Sequence, residues 1–247
     1  MEIRIVDADE LDEVGTALVA DWLGPAPNAT FMAALGTSPL GMYRGLAAMR
    51  AEGRLDTSRL TLVQLDEYLG IEPSDPRSLI GWLRRDVAGP LGIGDERIVR
   101  LAGDASDPVA ACSAYERRVA EAGGVDVAVL GLGPNGHLGF NEPPSDATAR
   151  TRVVELAPAS LASNARYWPG GTVPTSAITA GMDVILAARR TLLVVSGRSK
   201  AAVLHNVVEG PISPSTPASY LRRSPGVTLL ADRQAWPANL ALPAAIA

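Results

Sequence analysis

Two acids in tandem, Asp66 and Glu67, follow the apolar run Leu60–Leu65. A carboxylate that is buried, or that sits beside a like charge, keeps its proton longer and enters the range useful to a general base. The same pair also reads as one acid capping the next turn and one in solvent. A second segment, Gly131-Leu132-Gly133-Pro134-Asn135-Gly136-His137-Leu138-Gly139-Phe140-Asn141-Glu142-Pro143, surrounds one of only two histidines with four glycines. Glycines leave room beside a ligand, and Glu142 is near enough on a folded loop to orient the imidazole and hold its charge. His205 lacks such company and reads as structural. Gly36-Thr37-Ser38, ahead of Pro39, offers backbone N–H groups and hydroxyls to an anion at a helix amino end. Taken alone it is equally an ordinary turn with proline at the first helical position. Val195-Ser196-Gly197-Arg198-Ser199-Lys200 repeats that design, and the two loops together suit a two-sided phosphate cradle. Arg166, taken alone, reads as a surface arginine.

Lys200 stands out by composition. The chain has 22 basic residues, and Lys200 is its sole lysine. Arginine bias accounts for the rest, but a lone lysine points to a site needing a compact ammonium that a planar guanidinium does not replace. Net charge is −5, which argues against a nucleic-acid surface and leaves room for a small anion. With 47% hydrophobic and 20% charged residues, the chain has the balance of an ordered globular protein. No apolar run reaches the roughly 20 residues of a membrane span. MEIRIVDADE has no secretory character, and the single Cys112 forms no internal disulfide. A cytoplasmic location is the expectation. There is no HExxH or CxxC, and no metal or organic cofactor is expected. The GxGxxG spelling at Gly131–Gly136 follows a late strand and leads to His137 and Pro143, so it is not a dinucleotide fingerprint.

These residues need a scaffold that brings them together. Apolar runs alternate with helical-period stretches over the whole length. Strands are predicted at Ile3–Val6, Thr30–Leu35, Leu60–Leu65, Ile98–Leu101, Val125–Leu132, Arg152–Leu156, Thr191–Val195 and Val227–Ala231. Helices are predicted at Leu11–Leu23, Pro39–Ala51, Leu79–Ala88, Pro108–Ala122, Met182–Ala187 and Ser199–Glu209. Strands this apolar must be covered on both faces, so the pattern predicts a single α/β domain over 1–247. Its sheet is doubly wound and mostly parallel, with helices on both faces. Ligands in such sheets bind beyond the carboxyl ends of the strands, where all four chemical segments lie.

At these residues the chain resembles the glucosamine-6-phosphate deaminase (isomerase) family, within the superfamily that also holds the 6-phosphogluconolactonases. Leu65-Asp66-Glu67-Tyr68-Leu69-Gly70 is similar to the family's MDEYVG segment, and GPNGHLGFNEP (Gly133–Pro143) to its G-x-[DN]-GHIxFNEP signature. SGRSKA resembles SGKSKA, and LGTSPLGMY resembles the TGSTPxxxY loop. The resemblance implies conversion of glucosamine 6-phosphate and water to fructose 6-phosphate and ammonia, a hydrolytic deamination needing no metal or cofactor. It implies that His137 assists ring opening, Glu142 orients and charges His137, and Asp66 moves the proton between carbon 2 and carbon 1. Asn135 takes the place of an aspartate found in some members. Lys200, Arg166 and Gly36, Thr37 and Ser38 are implied to hold the phosphate.

Departures from the pattern carry expectations too. Allosteric members have a lysine where Val154 stands and a longer tail, so the resemblance implies a monomer or small homo-oligomer without such activation. After the family's PAS, Leu221-Arg222-Arg223 replaces an HLH-like stretch, which opens galactosamine 6-phosphate as an alternative substrate. A 6-phosphogluconolactonase would share the scaffold and His137 but not need Asp66 as a carbon base. A sugar-phosphate sensor would need a DNA-binding helix-turn-helix, for which the expected elements leave no segment.

Overall fold

A computed structural model describes residues 1–242. Seven strands form the main sheet: β1 (Glu2–Val6), β2 (Thr30–Ala33), β3 (Thr61–Gln64), β5 (Ile98–Val99), β6 (Val127–Gly131), β9 (Arg190–Val195) and β10 (Val227–Asp232). Their spatial order is β1-β10-β9-β6-β2-β3-β5, and every pairing is parallel. The central strands are buried along almost their whole length, as the continuous Val, Leu and Ala runs require.

Helices fill both faces. Leu11, Val19 and Leu23 of α1 (Leu11–Leu23) join Met42, Tyr43 and Leu46 of α2 (Leu40–Ala51) in one core with Phe31, Val129 and Leu230. On the opposite face, Tyr115 and Val119 of α4 (Pro108–Glu121) and Val203, Leu204 and Val207 of α7 (Ala201–Val208) meet Met32, Leu130 and Leu193. α3 (Leu79–Leu83) runs on into a wider turn over Arg84–Ala88, with Ser78 capping its amino end. The remaining helices are α5 (Pro158–Asn164) and α6 (Met182–Leu186). The doubly wound parallel architecture expected from the apolar pattern is present. From β2 the chain steps outward to β3 and β5, whereas β6, β9 and β10 lie on the other side, so β2 and β6 flank the point where strand order reverses.

The sequence pattern did not anticipate a second sheet, nor α5. β4 (Asp66–Tyr68), β8 (Ser176–Thr179) and β7 (Arg152–Glu155) form an antiparallel sheet in the order β4-β8-β7. Asp66 therefore does not end an apolar strand. β3 stops at Gln64, and Asp66 opens a new strand that leaves the main sheet. The register sets Asp66 opposite Thr179, and Thr179 opposite Arg152. The third cluster of buried apolar residues, with Tyr68, Leu79, Phe140 and Trp168, fills the space beneath this small sheet.

Candidate active site

Chain segments that leave the carboxyl ends of β2, β3, β6 and β9 enclose, together with residues of α3 and of the stretch Ser160–Trp168, one cavity of about 230 Å³. Gly36, Thr37, Ser38, Asp66, His137, Arg166 and Lys200 all line it. Widely separated residues thus meet where strand order reverses, as expected for an open α/β sheet. Glu142 and Asn135 do not line it. They stand behind His137 and contact it from there.

The tandem acids part company. Glu67 is 2% exposed, and its carboxylate accepts from the N–H groups of Tyr68 at 2.9 Å, Leu79 at 2.9 Å and Ile80 at 2.7 Å. Gln64 Nε2 donates a further bond at 3.1 Å. Glu67 is thus the capping acid, satisfying the open amino end of α3. The carboxylate of Asp66 accepts no hydrogen bond among the described residues and faces the cavity, although the residue is only 9% exposed. Burial, and then the charge of Glu67, push its pKa up to about 7. An unbonded carboxylate that titrates near neutrality is suited to take a proton from carbon.

His137 is held from behind. Its Nδ1 lies 3.1 Å from Glu142 Oε2 and 3.3 Å from Ser160 Oγ, so the proton assigned to Nδ1 points at the acid and Nε2 is left for chemistry. Asn135 Nδ2 donates to the same Glu142 oxygen at 2.7 Å, and its Oδ1 accepts from the His137 N–H at 3.3 Å. Burial alone would raise the pKa of Glu142. The bond and charge of His137, with Ser160 and Asn135, outweigh it and hold the carboxyl at about 2. Glu142 is therefore a fixed anion over the physiological range and stabilises the imidazolium when it forms.

The glycines of this loop have specific duties. A Cβ on Gly133 would lie 2.1 Å from His137 Cδ2 and 2.2 Å from Nε2, so only a bare α-carbon lets the ring sit where it does. Gly133→Ala is expected to lower kcat about a hundredfold by displacing the imidazole. The circular dichroism spectrum should be unchanged; full activity would show that the ring does not need this placement. Gly136, at φ 87°, makes the turn that brings His137 back toward β6.

A polar network missed from the sequence braces the same loop. Asn141, fully buried, donates to Leu138 O and Ala180 O at 2.9 Å each and accepts from Arg152 Nη1 at 2.8 Å. Arg152 Nη2 reaches Ser145 Oγ at 2.8 Å, and Ser145 bonds Glu142 O at 2.5 Å. Thr179 Oγ1 accepts from Phe140 N at 3.1 Å. The small sheet thereby carries Asp66 on one strand and anchors the histidine loop with the other two.

At the other end of the cavity, Lys200 Nζ donates to Leu132 O at 2.7 Å. Burial, and then the nearby Arg166 charge, lower its pKa. Two cations that repel one another across a half-buried wall fit a multiply charged anion between them. Asp232, buried at the end of β10, accepts from Ser196 Oγ at 2.7 Å and Gly197 N at 2.9 Å, which fixes the loop before Lys200. Arg166 lies over the Tyr167 ring at 4.6 Å. The wall between the two ends is aromatic, with Tyr68 5.4 Å from Phe140 and 5.3 Å from Trp168 between ring centres. Among the described residues no group of three or more His, Cys, Asp or Glu side chains is arranged to hold a metal ion.

Known proteins resemble this chain in sequence and fold. A family profile described as glucosamine-6-phosphate isomerases/6-phosphogluconolactonase matches residues 9–230. A glucosamine-6-phosphate deaminase of Streptomyces avermitilis is 41% identical, over 94% of this chain and 90% of its own. The glucosamine-6-phosphate deaminase 2 of Bacillus subtilis is 36% identical, over 95% and 96%. A solved structure of a monomeric glucosamine-6-phosphate deaminase superposes with a TM-score of 0.91 at 36% identity, covering 95% of this chain and 98% of that one. The 6-phosphogluconolactonase of Thermotoga maritima shares the fold, with a TM-score of 0.73 at 18% identity over 94% and 98%. With the profile spanning nearly all of the sheet and every loop that lines the cavity, the chain belongs to the glucosamine-6-phosphate isomerase/6-phosphogluconolactonase family.

Proposed function

We propose that this protein is a glucosamine-6-phosphate deaminase, producing fructose 6-phosphate and ammonia. One observation carries the reading: Asp66, unbonded and basic near neutrality, shares a cavity with a Glu142-backed imidazole and a cationic wall. Lys200, Arg166, Ser199 and the Gly36–Ser38 loop hold the phosphate and so place the hexose along the aromatic wall. His137 then passes a proton from the anomeric hydroxyl to the ring oxygen, which opens the pyranose. Asp66 takes the proton from carbon 2 of the open aldose, giving an enolamine, and returns it to carbon 1. The resulting imine at carbon 2 adds water and expels ammonia, leaving the ketone. Water is consumed in this last step, so the isomerisation ends in a hydrolysis. A lactonase has no use for a carbon base, so the placement of Asp66 favours the deaminase.

The deciding assay is ammonia release from glucosamine 6-phosphate beside galactosamine 6-phosphate and 6-phosphogluconolactone. Turnover of the first is expected. Its absence together with lactone hydrolysis would replace the reading. For the phosphate end, Lys200→Met is expected to raise KM for glucosamine 6-phosphate by roughly tenfold to a hundredfold, the value of a charge-assisted hydrogen bond. An unchanged KM would remove Lys200 from the phosphate site.

We further read the protein as a monomer or small homo-oligomer working in the cytoplasm as one domain. Its likeness to a structure described as monomeric supports the first part. None of the helices among the described residues is long and apolar enough to cross a membrane. Light scattering on the eluted peak checks the subunit count.

A further inference from the structure

Asp66 lies next to a group whose arrangement exceeds what a helix cap requires. Glu67 and Gln64 are not among the residues that line the cavity, and each is 2% exposed. Gln64 is bonded on every side. Its Nε2 donates to Asp66 O at 2.9 Å and to Glu67, its Oε1 accepts from Leu101 N at 3.0 Å, and its backbone oxygen accepts from Tyr115 Oη at 2.8 Å. This joins the end of β3, the start of β4, the β5 edge and α4 at the point where the chain changes sheets. Glu67 joins the same point to α3 through Leu79 and Ile80.

We propose that Glu67 is a positioning residue for Asp66, acting through strand β4 and through the negative charge that its four donors favour. The inference rests on reading Asp66 as the proton-transferring base. Of two adjacent acids in one buried environment, the one with four donors keeps the charge and the one with none takes the proton. Burial raises the proton affinity of Glu67 as well, and its four bonds offset this only in part, so its pKa stays above the ordinary carboxylate value. The other ionisable groups about Asp66 are Tyr68 on its own strand, Tyr115 on α4, and Arg77, His137, Arg166, Tyr167 and Lys200 lining the same cavity. Burial holds Tyr68 and Tyr115 neutral. Glu67 is thus the anion nearest in sequence and the one fixed on the same strand.

The test follows the Asp66 carboxyl carbon by NMR titration of the full chain, assigned by its loss in Asp66→Asn, beside kcat and KM for ammonia release. In Glu67→Gln the Asp66 midpoint is expected to fall by about one pH unit, and the acid limb of kcat/KM to move with it. An unmoved midpoint in folded protein overturns the proposal. Glu67→Asp keeps the charge but falls short of the α3 N–H groups. It is expected to lose about tenfold in kcat with KM within about twofold, and unchanged kcat overturns the positioning role even if the glutamine variant does not fold. Failure of the deaminase reading shows separately, as absence of ammonia from the unaltered protein, while the titration still judges whether Glu67 governs Asp66.

Discussion

Asp66→Asn is expected to lower kcat for ammonia release by about 10³-fold to 10⁴-fold, the upper part of the usual contribution of a positioned base. The amide matches the carboxylate in size and faces the same cavity, so KM should change little. Loss of kcat with KM retained marks a group that acts on the transition state rather than on binding. The unaltered enzyme should lose kcat/KM as the pH falls through about 7, where Asp66 takes up a proton. The same substitution should stabilise the fold at alkaline pH. The pKa of Asp66 is raised from 3.8 to about 7, so between those values the folded chain binds a proton that the unfolded chain releases. Stability therefore declines as pH rises from about 4 to 7, by a few kcal/mol in all, and the loss persists above 7. Asparagine never ionises and avoids it. Melting temperatures should differ by several degrees at pH 8 and converge near pH 4; no divergence would mean that Asp66 is not desolvated.

His137→Asn is the second large effect. Without the imidazole, proton transfer between the anomeric hydroxyl and the ring oxygen is left to water, and kcat should drop by about 10²-fold to 10³-fold. An acyclic 6-phosphorylated amino alditol needs no ring opening, so its affinity, read by calorimetry, should stay within about twofold of the unaltered protein. Equal losses for both ligands would assign His137 to binding instead. Glu142 and Asn135 belong to the same unit, and their replacement should act through the histidine rather than add to its loss.

The main sheet and its covering helices were legible because their signals are strong. Apolar runs such as Val125–Leu132 and Thr191–Val195 pointed to buried strands, found at Val127–Gly131 and Arg190–Val195, and α1 and α4 carry clear amphipathic periods. That Asp66, His137 and Lys200 would meet at one cavity was legible because each closely follows an apolar run or sits in a glycine-rich loop. The small sheet was not. β4 is three residues of Asp, Glu and Tyr, and β8 is Ser176–Thr179 after a proline-rich stretch, so neither displays a period. α5 is equally faint, although Pro158 at its first turn was a usable sign. Arg152, Asn141 and Ser160 gave no signal as site residues, because they act through bonds that exist only after distant strands pair. The separate duties of Asp66 and Glu67 depend on where α3 begins in space.

The rung that sets Asp66 opposite Thr179, and Thr179 opposite Arg152, makes the small sheet a gauge. One residue of β8, Thr179, both pairs with Asp66 and accepts from Phe140 N in the histidine loop, so the relative placement of acid and imidazole passes through it. Losing a single residue between Pro174 and Thr179 would shift the count by one and turn alternate side chains to the opposite face. Thr179 would no longer meet the histidine loop in step with Asp66. Each half of the site would keep its own local shape, yet the two would no longer address the same molecule.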